Sequence, residues 1–364
     1  MISRNSPKQQ PGLFALRYCN RDFTQKEAWG KNCFNTSFPA SLCSYLYSKN
    51  LDSIYIILNS NLEIEHSSIS TKSFYRIDPN SENIFYAFET QFTPYQKYLI
   101  GALPRADLVT QRRDTGACLQ AVEIKLTALP DNSTCDFLDE NLYGCEIVVR
   151  PDTIVYLACS IAEYFEQNIN LLQSLITGNF EEINDWTEPL EVIPHLSNMF
   201  ASIRAIILAM IEAQKPSIMQ PIWKTMGKSP KLADNCLDVF IWSNLAFIKL
   251  ILDSSRLDRN LTQTITIGRH IRAIVWLFKM IYDFSLQSQF DQGRIIDIAY
   301  NTKNDKAFSV NGRFTNLYMR SEVLRMPRIQ KDEIKEIILG GGQNLLSPER
   351  RFDAIIYNSP DLFN

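Results

Sequence analysis

Short blocks of hydrophobic residues separated by polar turn residues dominate the first half of the chain. Ile54–Leu58 and Ile84–Phe88 are β-branched or aromatic runs of this kind, which is typical of strands. Two further runs, 106–111 and 119–127, flank the segment Arg112-Arg113-Asp114-Thr115-Gly116. Because Asp and Gly favour tight turns, this segment predicts a hairpin between two strands.

Longer apolar periodicities predict helices further along the chain. After a short predicted strand at Glu146–Val149, Asp152-Thr153 can cap an amphipathic helix that runs to about Leu175. Arg294–Tyr318 favours β-structure. Apolar residues at helical spacing predict further helices at about 196–213, 234–253, 264–285 and 330–339, the last of which stops at Gly340-Gly341-Gly342.

These patterns predict an α/β (α+β) protein with a mixed sheet and a largely helical C-terminal half. The acidic connector near 178–194, with Pro189 and Pro194, is the best candidate boundary. We expect an α/β core with an N-terminal extension over residues 1–185 and a mainly helical region over 186–364. The two regions can pack as one body.

Composition indicates the general class of protein but does not indicate its function. The 364 residues include 45% hydrophobic and 21% charged residues, as in globular proteins. The longest uninterrupted apolar run, Ala205–Ile211, is far shorter than the roughly 20 residues of a membrane helix. The polar N-terminus lacks the apolar core of a signal peptide. We therefore expect a cytoplasmic protein with no membrane contact.

The net charge of −3 conceals an uneven distribution. Residues 131–191 contain thirteen acidic side chains and one basic side chain, Arg150, so the remainder carries an excess of positive charge. An acidic chain of this kind can still present a basic surface to a polyanion, although ordinary solvated faces explain the charges equally well. The eight cysteines lack the close pairing of a zinc knuckle, which favours buried thiols over structural zinc.

One constellation carries candidate chemistry. Glu123-Ile124-Lys125 lies inside the alternating segment Leu119–Thr127, so Glu123 and Lys125 share one face of a strand. If 106–111 forms the neighbouring strand, Asp107 reaches the same face. Charged groups on a buried face need a partner or a metal ion. The alternative is a solvated face of an edge strand.

These groups fit phosphodiester hydrolysis. Two carboxylates and water molecules suit Mg²⁺, which keeps most of its hydration shell. The ion can polarise a phosphoryl oxygen, and Lys125 can orient the attacking water and offset charge on the phosphorus.

The same residues resemble a known family. Asp107 followed by Glu123-x-Lys125 looks like the PD-(D/E)xK nuclease motif, with Arg105-Ala106 separating Pro104 from Asp107. The wider text is similar to the HindVP/HgiDI-type family of type II restriction endonucleases. The segments that carry this similarity are 104–109, 119–132, 143–151, Trp29-Gly30-Lys31-Asn32 with Phe34-Asn35, and Gln220–Thr225.

The resemblance implies Mg²⁺-dependent cleavage of double-stranded DNA at GRCGYC by a homodimer, because that site is a palindrome. It implies Asp107 and Glu123 as metal ligands and Lys125 as the catalytic lysine. Many such nucleases add a further acid, for which Glu89 is a candidate. A cognate methyltransferase is expected as a genetic rather than a physical partner. The implied fold is a restriction-endonuclease-like core, with DNA binding and dimerisation in the helical half.

DNA contacts are expected from basic residues interleaved with aromatic or amide groups. Lys31, Lys224 and Arg313 are the candidates, with Lys224 placed in a loop between helices. The alternative interpretation for each of these residues is an ordinary surface cation. Two alternatives to a site-specific endonuclease stay open: a repair or structure-specific nuclease of the same fold, and a non-catalytic DNA-binding protein.

Overall fold

The structure is a computed structural model. It describes residues 38–76, 78, 83–125, 127–129, 147–226, 231–256, 267–293, 308–310, 318–319 and 321–338. Lys31 and Arg313 lie outside these residues, as does most of the predicted β-region 294–318.

Groups of strands and groups of helices follow one another along the described chain. The strands are β1 (Ser53–Leu58), β2 (Ile64–Ile69), β3 (Ile84–Thr90), β4 (Leu99–Ile100), β5 (Ala106–Arg112), β6 (Cys118–Ile124), β7 (Thr127–Leu129), β8 (Ile147–Val149), β9 (Pro216–Met226), β10 (Lys231–Ser243), β11 (Phe290–Asp291), β12 (Phe308–Val310) and β13 (Ile329–Gln330). The α-helices are α1 (Phe38–Ser48), α2 (Thr71–Tyr75), α3 (Pro151–Phe165), α4 (Ile169–Leu175), α5 (Pro189–Val192), α6 (Leu196–Ala209), α7 (Asn244–Arg256), α8 (Arg269–Gln287), α9 (Ser321–Arg325) and α10 (Lys331–Ile338). Short 3₁₀ turns cover Thr93–Tyr98, Ile193–His195 and Ile211–Ala213.

A large mixed sheet organises these elements. Its strand order is β2-β1-β10-β9-β6-β5-β3, with β13 added on β10 and β7 added on β9. The pairs β1–β10, β6–β9 and β7–β9 are parallel, and the other pairs are antiparallel. Strands β9 and β10 therefore lie between strands from the first half of the chain. The predicted mixed α/β class is confirmed at this level.

Hydrophobic residues cover both faces of the sheet. The main cluster joins one face to α3, α6, α7 and α8, with Val109, Ile218 and Phe240 from the sheet. The smaller cluster joins the other face to α1 and α10, with Leu108 and Val122 from the sheet. Neighbouring residues such as Leu108 and Val109 belong to different clusters because strand side chains alternate.

Several predicted elements are confirmed and some are wrong. The strands at 54–58, 84–88 and 106–111 and the helix at 330–339 are present within one or two residues. The predicted helix at 234–253 is wrong over its first half, because Lys231–Ser243 is strand β10 and the helix begins at Asn244. Lys224 lies in β9 and not in a loop between helices.

The helix expected to run to Leu175 is two helices. It ends at Phe165, and the side chain of Asn168 caps the next helix by accepting a hydrogen bond from Leu171 N. The cap of the first helix is Arg150, which makes no side-chain cap bond, so Asp152-Thr153 is not the cap. The domain division between 185 and 186 stays a prediction, and the sheet contains strands from both sides of it.

Two other expectations concern the burial of the cysteines and the absence of membrane contact. Of the four described cysteines, three are buried and Cys118 is half-buried, which agrees with the predicted burial of the thiols. The helical segment Pro189–Ala209 is long and apolar enough to cross a membrane by length and composition, a test that core helices of soluble proteins also pass. Met199 and Ile203 in this segment are buried in the main cluster. The expected absence of membrane contact stays a prediction.

Candidate active site

Asp107 and Glu123 face each other across neighbouring strands. The register of β5 and β6 pairs Leu108 with Val122, so the next position along places Asp107 opposite Glu123. Leu108 and Val122 belong to the smaller cluster. Alternation therefore directs both carboxylates to the opposite face of the sheet, on which α3 packs.

The hairpin sequence explains why these strands meet in this register. Residues 113–115 form the turn between β5 and β6. Gly116 follows with φ of +69°, a backbone conformation that glycine adopts without a steric penalty. The predicted hairpin is confirmed.

The side chain of Asp107 is fixed by a hydrogen bond from the neighbouring strand β6. Its Oδ2 accepts a hydrogen bond from Ile124 N at 2.7 Å. Burial and the negative charge of Glu123 raise the pKa of Asp107 to about 7, although the charge of Lys125 and the Ile124 N–H oppose this shift. A carboxyl whose charge is disfavoured in this way gains from a nearby cation.

Glu123 and Lys125 form a buried ion pair. Lys125 Nζ donates to Glu123 Oε2 at 3.0 Å, and the two side chains are 11% and 7% exposed. Burial lowers the pKa of Lys125, but the charges of Glu123 and Asp107 outweigh it, so the net shift is upward from 10.5. The ammonium is therefore protonated at neutral pH. The backbone N–H of Lys125 donates to Met219 O at 2.8 Å, which ties the end of β6 to β9.

The structure thus brings together the three residues that the sequence analysis selected as catalytic. Their roles stay predictions.

Of the candidate DNA-contact residues, Lys224 lies six residues beyond Ile218, the β9 partner of Glu123. This separation corresponds to roughly 20 Å along an extended strand. Lys224 is half-buried and its Nζ donates to Arg325 O at 3.5 Å.

Glu89 belongs to the surroundings of Asp107. The β3–β5 register pairs Phe88 with Leu108 and Thr90 with Ala106, so Glu89 lies opposite Asp107. Its φ of +42° is rare for a residue other than glycine, and such outliers are common at functional sites. Its negative charge contributes to raising the pKa of Asp107.

Sequence reasoning missed two residues at the start of α3. Thr153 Oγ1 donates to Glu123 Oε2 at 2.9 Å. The pKa of Asp152 is raised by burial and by the charge of Glu123, against the opposing charges of Lys125 and Arg150. Asp152-Thr153 at the start of a helix suggested a cap, and nothing local to that segment indicates that the helix start lies against β6.

The donor set fits a hydrated divalent ion. No group of three or more His, Cys, Asp and Glu side chains suited to a metal ion occurs within the described residues. In that same part of the chain, the hydrogen bonds of Asp107 and Glu123 end on Oδ2 and Oε2. Within those residues, Asp107 Oδ1 and Glu123 Oε1 accept no hydrogen bond and are therefore available to bind a cation. Two carboxylate oxygens supplemented by water are a common ligand set for Mg²⁺.

Tyr156 supports the loop that leads into β5. Its hydroxyl donates to Pro104 O at 3.0 Å and accepts from Phe92 N at 3.1 Å, and the side chain is 4% exposed. Tyr156→Phe removes this partner from a buried backbone N–H, that of Phe92, and from the carbonyl of the half-buried Pro104. We therefore expect the free energy of unfolding to fall by about 2–3 kcal/mol.

Denaturant unfolding monitored by circular dichroism measures this change. Tyr164→Phe is the matched control on the same helix, because Tyr164 is 42% exposed and its hydroxyl bond to Ala209 O can be replaced by water. Equal losses in both variants would show that Tyr156 is not a special support of this loop.

Comparison with known proteins gives a consistent result over nearly the whole chain. A family model described as HindVP restriction endonuclease matches residues 29–363. The probable type II restriction enzyme HindVP of Haemophilus influenzae is 47% identical over 355 residues, which cover 97% of this chain and 95% of that protein. The type II restriction enzyme HgiDI of Herpetosiphon aurantiacus is 45% identical over 356 residues, which cover 97% of each chain. No solved structure matches the chain.

Proposed function

This chain belongs to the HindVP restriction endonuclease family, whose members are site-specific enzymes acting on double-stranded DNA, and we propose that it cleaves DNA with Mg²⁺ at GRCGYC. The observation that carries the proposed chemistry is the buried Glu123–Lys125 pair opposite Asp107. The recognition sequence rests on the resemblance to the family alone.

Each residue of the site has a distinct task in this proposal. Asp107 Oδ1 and Glu123 Oε1 hold the ion, while their other oxygens are fixed by protein donors. An Mg²⁺ ion held by these oxygens would supply Lewis-acid chemistry, by which a phosphoryl oxygen would be polarised and a bound water made more acidic. The ammonium of Lys125 orients the attacking water and offsets negative charge on the phosphorus. The water oxygen forms the new P–O bond as the bond to the leaving sugar oxygen breaks.

The wider architecture is part of the same proposal. We assign the β5–β6 hairpin to a PD-(D/E)xK nuclease core, with Asp107 on β5, Glu123 near the end of β6 and Lys125 directly after it. A palindromic site favours a homodimer that places one active site on each strand. Lys31, Lys224 and Arg313 are assigned to DNA contacts and Glu89 to the acidic surroundings of the ion. The protein is placed in the cytoplasm, with a methyltransferase as genetic partner.

A plasmid digest tests the function directly. With Mg²⁺ we expect discrete fragments whose ends, read by run-off sequencing, lie within GRCGYC. With Ca²⁺ in place of Mg²⁺ we expect binding without cleavage. Discrete fragments that end elsewhere would contradict the recognition sequence and preserve the chemistry. A smear would indicate a nonspecific nuclease, and binding without cutting in Mg²⁺ would indicate a non-catalytic DNA-binding protein.

A further inference from the structure

The carboxylate of Glu123 receives a second hydrogen bond from outside its own strand. Thr153 Oγ1 lies 2.9 Å from Glu123 Oε2, and Lys125 Nζ lies 3.0 Å from the same oxygen. Because an ionised carboxylate only accepts hydrogen bonds, the threonine hydroxyl is the donor. Both donors therefore end on Oε2. Within the described part of the chain, Oε1 accepts no hydrogen bond.

We propose that Thr153 is a positioning residue that fixes the rotation of the Glu123 carboxylate so that Oε1 faces the divalent ion. The inference rests on the proposed function, since it assumes that Glu123 holds a metal ion. It assigns to α3 a task in metal binding that neither the motif nor the strand pair supplies. Donors of this kind orient metal ligands in many proteins, and their loss weakens metal affinity by about 10- to 100-fold.

The position of the hydroxyl is itself well determined. Thr153 is 1% exposed, and its neighbours Ile154 and Val155 are buried in the main cluster. A β-branched side chain on a packed helix has few rotamers, so the hydroxyl is directed by the backbone of α3. A buried hydroxyl also requires an acceptor, and Glu123 provides one.

Lys125 alone is a poor means of orienting this carboxylate. Its ammonium ends a flexible stem, and in the proposed reaction it also contacts the attacking water and the phosphate. A donor that stays on Oε2 while Lys125 changes partners keeps Oε1 directed at the ion. The structure supplies this donor from a helix and not from the reacting strand.

Matched substitutions isolate the hydroxyl. Thr153→Val keeps the shape of the side chain and removes the donor, whereas Thr153→Ser keeps the donor. Thr110→Val is the control, because Thr110 is also fully buried, lies on β5, and has its hydroxyl 3.5 Å from Gln120 O. The side chains of residues 107 and 110 lie on opposite faces of the sheet because strand residues alternate. This control therefore removes a buried hydroxyl from the same sheet, on the face away from the proposed ion.

The readouts are Mn²⁺ affinity, measured by calorimetry on the full chain without DNA, and the Mg²⁺ concentration for half-maximal cleavage. We expect Thr153→Val to weaken Mn²⁺ binding about 10-fold and to raise the Mg²⁺ requirement by a similar factor. Cleavage at saturating Mg²⁺ is expected to recover most of its rate. Thr153→Ser and Thr110→Val are expected to remain within about threefold of the unsubstituted protein.

Two results would overturn the inference. If Thr153→Val binds Mn²⁺ as tightly as the unsubstituted protein, Thr153 does not position the ligand. If Thr153→Ser loses as much affinity as Thr153→Val, the effect comes from packing and not from the hydroxyl. Should Thr153→Val fail to fold, Thr153→Ala and Thr153→Ser provide the same comparison. A failure of the unsubstituted protein to bind Mn²⁺ would instead contradict the proposed metal site itself.

Discussion

Replacing Lys125 by alanine is expected to reduce the rate of DNA cleavage by about 10³-fold while changing DNA affinity by only a few-fold. The expected loss is that of a group that stabilises charge and orients water in the transition state. Lys125 is almost fully buried beside Glu123, so it is poorly placed to supply general affinity for the DNA backbone. Removing an interaction that is made only in the transition state lowers the chemical rate and not the affinity.

Single-turnover cleavage and fluorescence anisotropy with Ca²⁺ measure the two quantities separately. Lys279→Ala is the control, because Lys279 is a half-buried lysine paired with Asp283 on α8. Removing Lys125 leaves Glu123 without one partner, so Lys125→Met, which retains the apolar stem, checks that folding is preserved. Loss of DNA binding in parallel with cleavage would make Lys125 a docking residue. Unchanged cleavage would remove it from the mechanism.

Asp107→Asn is expected to abolish cleavage and, in the absence of divalent ions, to stabilise the folded protein. The raised pKa of Asp107, about 7, means that its negative charge is disfavoured in the folded state. A shift of roughly three units corresponds to about 4 kcal/mol as an upper limit, and solvent screening reduces it to about 1–3 kcal/mol. The amide oxygen can still accept the hydrogen bond from Ile124 N.

The size of this effect depends on pH. The folded state binds the Asp107 proton more tightly than the unfolded state does. The free energy of unfolding of the unsubstituted protein should therefore fall relative to the variant as the pH rises from about 4 to about 7, and the difference should be constant above that. Added Mn²⁺ should stabilise the unsubstituted protein and not the variant.

Thermal unfolding at pH 4, 6 and 8, with and without Mn²⁺, checks these expectations. Asp185→Asn is the contrasting control, because hydrogen bonds from Thr187 lower the pKa of Asp185 and removing its charge gives no gain in stability. A lower melting temperature for Asp107→Asn at pH 8 without metal would show that the charge is not disfavoured. Equal stabilisation of both proteins by Mn²⁺ would place the ion elsewhere.

Local patterns were sufficient for β1, β3 and β5, missed the edge strand β2 and failed at the centre of the sheet. Strands such as β1 and β5 have polar turns on both sides, which limit their length in the sequence. The apolar run in β10 is buried on both faces of the sheet, and such a run has no alternation to distinguish it from a buried helix. Strand β9 contains Pro221 opposite Val239, and proline argues against a central strand from sequence alone.

The candidate site divides in a similar way. Asp107, Glu123 and Lys125 were predictable because one hairpin and the alternation of two strands determine their relative positions. Thr153 is thirty residues beyond Glu123, so its contact depends on how α3 packs against β6. No local periodicity encodes this docking. Glu89 is an intermediate case, because its position opposite Asp107 follows from the pairing of β3 with β5.

The most direct test of the account compares plasmid cleavage in Mg²⁺ by the unsubstituted protein, Glu123→Gln and Glu163→Gln. Glu163 is the matched control because it lies on α3, the helix that carries Thr153, and pairs with Lys215 without belonging to the proposed ion site. We predict discrete fragments from the unsubstituted protein and from Glu163→Gln. We predict no detectable cleavage by Glu123→Gln, with its DNA binding retained. Cleavage by Glu123→Gln at the rate of the unsubstituted protein would contradict the assignment of this site as the active site.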